Sequence, residues 1–166
     1  LGLIPHLWPN TRGKKSKGQA EQGGSRDDRM KDLITHFEPQ SMGAEAFRGL
    51  RTNLQFLRLE KKGKLFLITS SFIQEGKTFN SVNLALSLAQ AGKKILLVDA
   101  DLRRPLVHKV FGLDREPGIT DVVLGNYQWQ EVTSTISDLM LGDFKIDDIL
   151  KTPGMDNLHI MTAGVL

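Results

Sequence analysis

Cysteine is absent from the chain. That excludes disulfides, thiolate metal sites and a cysteine nucleophile, and it fits a reducing compartment. Long apolar runs are missing as well: none approaches the roughly 18 residues that a membrane-spanning helix needs. No charged leader followed by an apolar stretch marks a signal peptide, and the start at Leu1 reads as a fragment or a processed chain. Tyrosine is nearly absent, with Tyr127 the single example. The histidines, His6, His36, His108 and His159, are scattered without ligand spacing, which argues against a histidine-built metal site. What is present is an ordinary soluble composition, 40% apolar and 25% charged over 166 residues. That is enough for one domain with a core and a tail.

Acidic charge is scarce only at one end. The formal charge is +3 and the sequence pI about 9.2, which on its own would suggest nucleic-acid binding. Residues 1–31 hold seven Lys/Arg against three Asp/Glu, leaving fifteen against sixteen for the rest. The basicity therefore sits in one Gly-rich, polar segment without apolar periodicity, and residues 1–40 read as a flexible basic linker. Its plain reading is a solvated tether. The sharper one is a polybasic stretch against an anionic membrane surface, where each Lys or Arg contributes about 1 kcal/mol. Apart from Trp8 it lacks the interleaved aromatics of a single-strand binder, so no nucleic-acid partner is expected.

Order is expected from Ser41, a candidate N-cap. Phe47, Leu50, Leu54 and Leu57 recur at helical spacing, and Lys61-Lys62-Gly63 closes the helix. Leu65-Phe66-Leu67-Ile68 is a short continuous apolar run and predicts a buried strand. Residues 77–91 predict a helix with Val82, Ala85, Leu86 and Ala89 on one face, ended by Gly92. Ile95–Val98 predicts a second buried strand. Strand, loop, helix, strand at these lengths makes a βαβ unit, hence an α/β fold with a parallel sheet flanked by helices. Short helices are expected over Leu106–Phe111 and Ile119–Leu124, and a third strand over Leu158–Met161.

Ser70-Ser-Phe-Ile-Gln-Glu-Gly-Lys-Thr78 stands between the first strand and the second helix. A loop in that place gathers free backbone N–H groups and the positive end of the helix dipole, which suits phosphate. Gly76 permits close backbone approach, Lys77 would neutralise β and γ phosphates, and Thr78 would offer its hydroxyl to Mg2+. The pattern departs from G-x-x-x-x-G-K-[ST] in having Ser71 at the first glycine. Placement after an apolar run and before a helix gives the tripeptide its weight.

The second strand delivers Asp99 and Asp101, which at i and i+2 share one side and face the crevice at the strand's C-terminal end. A hard cation carrying phosphate needs such oxygens. Asp99 is expected nearer the Thr78–Mg2+ position. Arg103 or Arg104 would either neutralise transferred phosphate or pair with these acids, and the acids could equally be loop residues satisfied by those arginines.

Taken together, these residues resemble the bacterial tyrosine kinases of capsular and exopolysaccharide export. Asp99-Ala-Asp101-Leu-Arg103 is similar to that family's second Walker motif, and residues 69–78 to its phosphate loop, with Asn83-Leu-Ala85 in the helix behind. Glu45-Ala-Phe-Arg48-Gly-Leu-Arg51 resembles its Glu-x-x-Arg-x-x-Arg motif, Pro117–Gly125 a further segment, and Leu1–Pro5 the stretch just after the second membrane helix. The resemblance implies a P-loop NTPase-type kinase domain over residues 41–166, incomplete before the third nucleotide motif. It implies ATP and Mg2+ held by Ser71, Gln74, Glu75, Gly76, Lys77, Thr78, Phe79 and Arg103, with Thr78, Asp99 and Asp101 on the metal. Lys77, Asp99 and Asp101 would be catalytic, and Glu45, Arg48 and Arg51 would meet a neighbouring subunit of a ring-like homo-oligomer. Further implied partners are a polysaccharide co-polymerase membrane region, in cis or in trans, and a tyrosine-bearing protein substrate, at the cytoplasmic face of the bacterial inner membrane.

By geometry alone, Glu45, Arg48 and Arg51 form a solvated helix face with a weak ion pair. Ile73 and Gln74 replace the family's Pro-Gly, and Phe79 replaces a small hydroxyl residue. The hydrophobic strand ending in Asp before a Pro-Pro pair is missing, and so is the C-terminal tyrosine cluster. Two other readings stand beside the kinase. One is a non-catalytic nucleotide-binding module of an export complex. The other is a partitioning-type ATPase, against which Phe72 counts because it occupies the place of that group's signature lysine.

Overall fold

The computed structural model describes residues 33–56, 64–135 and 154–165. The segment 1–32, Leu57, the Lys61-Lys62-Gly63 helix close and residues 136–153 lie outside the described residues, as do the expectations attached to them. No helix among the described residues is long and apolar enough to cross a membrane.

Order starts earlier than Ser41. A one-turn helix α1 (Ile34–Phe37) already packs into the molecule, with Leu33, Ile34 and Thr35 buried. The reason is a polar clamp. The Thr35 N–H donates to Asn83 Oδ1 at 3.0 Å and the Thr35 hydroxyl donates to the same oxygen at 2.9 Å. Helix α2 (Met42–Phe56) begins as expected, with Ser41 Oγ accepting the Ala44 N–H at 3.1 Å. Its stripe buries Phe47 beside Ile34 and Leu84, with Leu50, Leu54, Ile68, Phe79 and Leu88 packed around them.

Helix α3 (Lys77–Gln90) is the central element. Val82, Ala85, Leu86 and Ala89 are all buried, as the periodicity predicts. They face the larger core of Leu97, Val107, Val110, Phe111, Met155, Leu158 and Ile160, while Leu84 faces the α2 side. Burying side chains of this size contributes about 1.5–3 kcal/mol each. Gly92 at φ +76° ends the helix, its N–H donating to Ala89 O and that of Lys93 to Leu88 O.

Strand β1 (Ile95–Val98) runs parallel to β3 (Leu158–Met161), with Ile95 opposite Leu158 and Val98 opposite Met161. A two-residue strand β2 (Thr133–Ser134) adds an antiparallel edge, so the order is β1-β3-β2. Between β1 and β2 the chain forms α4 (Val107–Phe111) and α5 (Ile119–Val123), close to the expected short helices.

Two strand expectations need correction. Leu65–Ile68 enters no sheet among the described residues, and Leu65 and Leu67 stand 95% and 83% exposed. β1 forms but is buried on one face only: Leu97 packs under α3, whereas Leu96 and Val98 are 43% and 38% exposed. A continuous apolar run needs cover on both faces and a neighbour on each edge. Among the described residues α3 covers one face and β3 one edge.

Candidate nucleotide-binding site

The N-terminus of α3 presents a loop shaped by its own side chains. Gly76 takes φ +83° at the helix entry, and a Cβ there would meet the Asn80 side-chain amide. Gln74 also adopts a left-handed backbone, φ +61°, where the resembling family carries glycine. That conformation costs a non-glycine residue about 1–2 kcal/mol. The Glu75 carboxylate accepts the Phe72 N–H at 3.1 Å, and the Ser70 hydroxyl donates to Phe72 O at 2.9 Å. These two bonds fold the loop back on itself, with Phe72 and Ile73 exposed at its tip.

Lys77 Nζ donates to Ser70 Oγ at 3.2 Å, which lays the ammonium along the loop. The Thr78 hydroxyl has no hydrogen-bond partner among the described residues, and Asn80 Oδ1 is a buried oxygen without one. A flexible-stem cation, an uncommitted hydroxyl, an orphaned amide oxygen and the helix's free N–H groups fit a phosphate chain. No group of three or more His, Asp or Glu side chains that could hold a metal by themselves exists among the described residues. The donors fit Mg2+ brought with phosphate, as this cation is usually bound through one or two protein oxygens plus phosphate.

β1 runs back along α3, so its C-terminal end returns to the end where the loop lies. There Asp99 is buried, and its backbone N–H donates to Met161 O at 2.9 Å. Its Oδ1 accepts the Asp101 N–H at 3.1 Å. Its Oδ2 accepts the N–H groups of Leu106 at 3.1 Å and Val107 at 3.0 Å. Asp99 therefore organises the whole 99–107 turn. Asp101 is half-buried, with one oxygen accepting the Arg104 N–H at 3.0 Å. Neither Arg103 nor Arg104 forms an ion pair with these acids among the described residues. Backbone N–H groups satisfy the carboxylates instead, and both guanidinium groups stay exposed.

The α2 trio is engaged within the chain. Arg48 pairs with Glu45 at 2.7 Å and donates to Pro39 O at 2.7 Å. Arg51 reaches across to α3 and donates to Ser87 O at 2.9 Å, binding the two helices together. Glu45 keeps a largely exposed side chain.

Three features of the site's support escaped the sequence reading. Ser70 as the seat of Lys77 had no signal beyond its place in the loop. The Thr35–Asn83 clamp did have one: Asn83 is a polar residue set among Val82, Leu84, Ala85 and Leu86, all buried. The third is the lock beyond β3, where Arg115 Nε donates to Gly164 O at 2.8 Å and the Thr162 hydroxyl to Arg115 O at 2.8 Å. A Cβ on Gly118 would collide with the Gly164 and Thr162 backbone, so only glycine fits there. His108, in α4, has a buried Nδ1 without a partner. Burial, with help from Lys109 and Arg115 and against Asp99, holds its pKa below the usual histidine value.

The family description "AAA domain" matches residues 75–165. Among curated proteins, the chain is 44% identical over 101 residues to the tyrosine-protein kinase YwqD of Bacillus subtilis, covering 60% of this chain and 43% of that protein. It is 33% identical over 132 residues to the putative tyrosine-protein kinase CapB of Staphylococcus aureus, covering 80% of this chain and 50% of that protein. The chain thus spans half or less of the length of these relatives. The kinase domain of the Escherichia coli tyrosine kinase ETK superposes with a TM-score of 0.65 at 28% identity, over 80% of this chain and 46% of that one. The chimerical protein CapA2B2 superposes with a TM-score of 0.62 at 29% identity, over 81% and 52%.

Proposed function

Since the chain belongs to the AAA-domain family and, within it, to the bacterial tyrosine kinases, we propose that it carries the phosphate-binding half of an ATP-dependent protein-tyrosine kinase. The observation that supports this most is the conjunction at one end of α3. A helix N-terminus, Lys77 and an unpartnered Thr78 hydroxyl lie at the end to which β1 returns Asp99 and Asp101.

In this reading the N–H groups around Gly76 and the Lys77 ammonium bind the β and γ phosphates, while Ser71, Gln74, Glu75 and Phe79 shape the loop around them. Lys77 must leave Ser70 to do so, exchanging one neutral acceptor at 3.2 Å for charged oxygens. Thr78, Asp99 and Asp101 would hold Mg2+, whose charge would offset that on the transferring phosphoryl group. Asp99 also fixes the turn that carries Asp101 and Arg103. Asp101 orients the attacking tyrosine hydroxyl and receives its proton. Arg103, exposed and unpaired among the described residues, approaches the phosphates from the open side. Catalysis is then positioning and charge neutralisation, as phosphoryl transfer generally requires.

The same reading makes Glu45, Arg48 and Arg51 a contact with a neighbouring copy, with Glu45 offering the most surface. It puts the chain at the cytoplasmic face of the membrane, with a polysaccharide co-polymerase region as partner. Labelled ATP, Mg2+ and a tyrosine-bearing peptide test it. Phosphotyrosine that disappears in Lys77→Met is the expected result. Nucleotide binding without transfer would make the chain an assembly module, and absence of both would end the reading.

A further inference from the structure

Two asparagines stand one turn apart on α3, and their side chains meet opposite fates. Asn83 is buried and satisfied at both ends: its Oδ1 accepts the Thr35 N–H and hydroxyl, and its Nδ2 donates to Phe79 O at 2.9 Å. Asn80, nearer the phosphate loop, is satisfied at neither. Its Oδ1 is buried without a partner, and no described residue accepts from its Nδ2.

A buried amide oxygen without a donor costs stability, and an apolar side chain of the same size would carry no such cost. Asn83 explains itself by the clamp it makes with Thr35; Asn80 has no such structural return. Its surroundings supply one of another kind. The Asn80 N–H donates to Gly76 O at 2.8 Å, which ties the root of the residue to the glycine at the helix entry. Its Nδ2 lies 3.4 Å from the point that a Cβ on Gly76 would occupy. The amide therefore turns its NH2 group towards the left-handed glycine and its oxygen into the protein. Turned over, it would bury two unpaired donors in place of one acceptor and aim an oxygen at the loop. The nearby acceptors of the loop are bonded elsewhere, Glu75 to the Phe72 N–H and Ser70 Oγ to Lys77.

We propose that Asn80 is a further binding residue of the nucleotide site, its Nδ2 donating to a phosphate oxygen held beside Gly76. The inference rests on the nucleotide reading above and adds a contact which that reading does not contain. Backbone N–H groups and the Lys77 ammonium then share the phosphates with one neutral side-chain donor. Because its oxygen is enclosed, the amide is aimed before the ligand arrives and has little rotamer freedom left to lose.

The test separates stability from binding. Asn80→Leu keeps the bulk against Gly76 and removes both polar ends. Its unfolding midpoint should equal or exceed that of the wild-type chain, because an unpaired buried oxygen is gone. Its affinity for Mg2+-ATP should fall about tenfold, the loss of one hydrogen bond to a charged acceptor. Asn80→Asp keeps the shape, exchanges the donor for an anion, and should lose more. A readout on the wild-type chain needs no stable variant for comparison of affinities. The side-chain amide pair missing from the 1H–15N spectrum of Asn80→Asp marks Asn80, and it should move downfield as Mg2+-ATP saturates. Asn80→Leu binding as tightly as wild type, or an amide pair that stays in place at saturation, overturns the proposal and leaves the nucleotide site standing. A wild-type chain that binds no Mg2+-ATP ends both.

Discussion

Two four-residue apolar runs, Leu65–Ile68 and Ile95–Val98, carry nearly the same sequence signal and meet different fates. Ile95–Val98 becomes β1, laddered to β3 on one edge and roofed by α3. Leu65–Ile68 leads straight into the phosphate loop, yet forms no strand among the described residues and leaves Leu65 and Leu67 bare. The difference is in the neighbours. An apolar run supplies the wish to be buried; a strand also needs an edge to bond to and a surface to cover it. Here β3 and α3 supply both for one run; for the other, no described strand supplies an edge, and only Ile68 finds cover, against the cluster of Ile34, Phe47 and Leu84.

Substitution in each of the two regions should have very unequal effects. Phe111→Ala, in the core beneath β1, should cost about 3–5 kcal/mol and abolish a cooperative denaturation curve. Leu67→Ser on the bare run should change stability by less than about 0.5 kcal/mol and raise solubility. Equal losses at both positions would show that the bare run is packed in solution.

Asp99 marks where β1 turns into the site. Asp99→Ala strands three backbone donors and should cost about 1–3 kcal/mol, with amide exchange accelerating at Leu106 and Val107. Unchanged exchange there would separate the carboxylate from the turn. On the other run's loop, Gln74→Gly should relieve about 1 kcal/mol of backbone strain in the free and the nucleotide-bound loop alike, and so leave nucleotide affinity unchanged. Calorimetric titration reads the latter, and a weaker affinity would show that the Gln74 side chain itself contributes.

The smallest expected effect is on the packed side. His108 titrates below the usual histidine range because burial disfavours its charged form. The unfolded chain therefore binds the proton more readily than the folded one. Stability from this source is fully present above the ordinary histidine pKa and is lost as pH falls through the lowered one. His108→Gln should flatten that part of the pH profile of the unfolding midpoint.

Much of this was legible from residue order. Ser41 as N-cap, the Phe47 stripe, the buried face of α3, the Gly92 stop and the strand at Leu158–Met161 follow from local periodicity and turn chemistry, which act within one element. The misreadings concern partners distant in sequence. Thr35 meets Asn83 across 48 positions, which brought α1 into the fold when composition alone assigned it to the linker. The bareness of Leu65 and Leu67 depends on which strands stand beside the run, and no local pattern contains that. At the site, the loop, its lysine and the paired acids were readable as types. That backbone N–H groups, and not arginines, hold Asp99 and Asp101 was not, because the 99–107 turn closes only in three dimensions.

In the proposed function the loop before α3 holds a nucleotide's phosphates through Lys77. Titrating the chain with Mg2+-ATP in a calorimeter, beside Lys77→Met at matched folded content, tests it most directly. Saturable binding that weakens at least tenfold in the variant is the predicted result, about 1.4 kcal/mol at that ratio. Equal affinity in the two chains, or none in either, would contradict the claim.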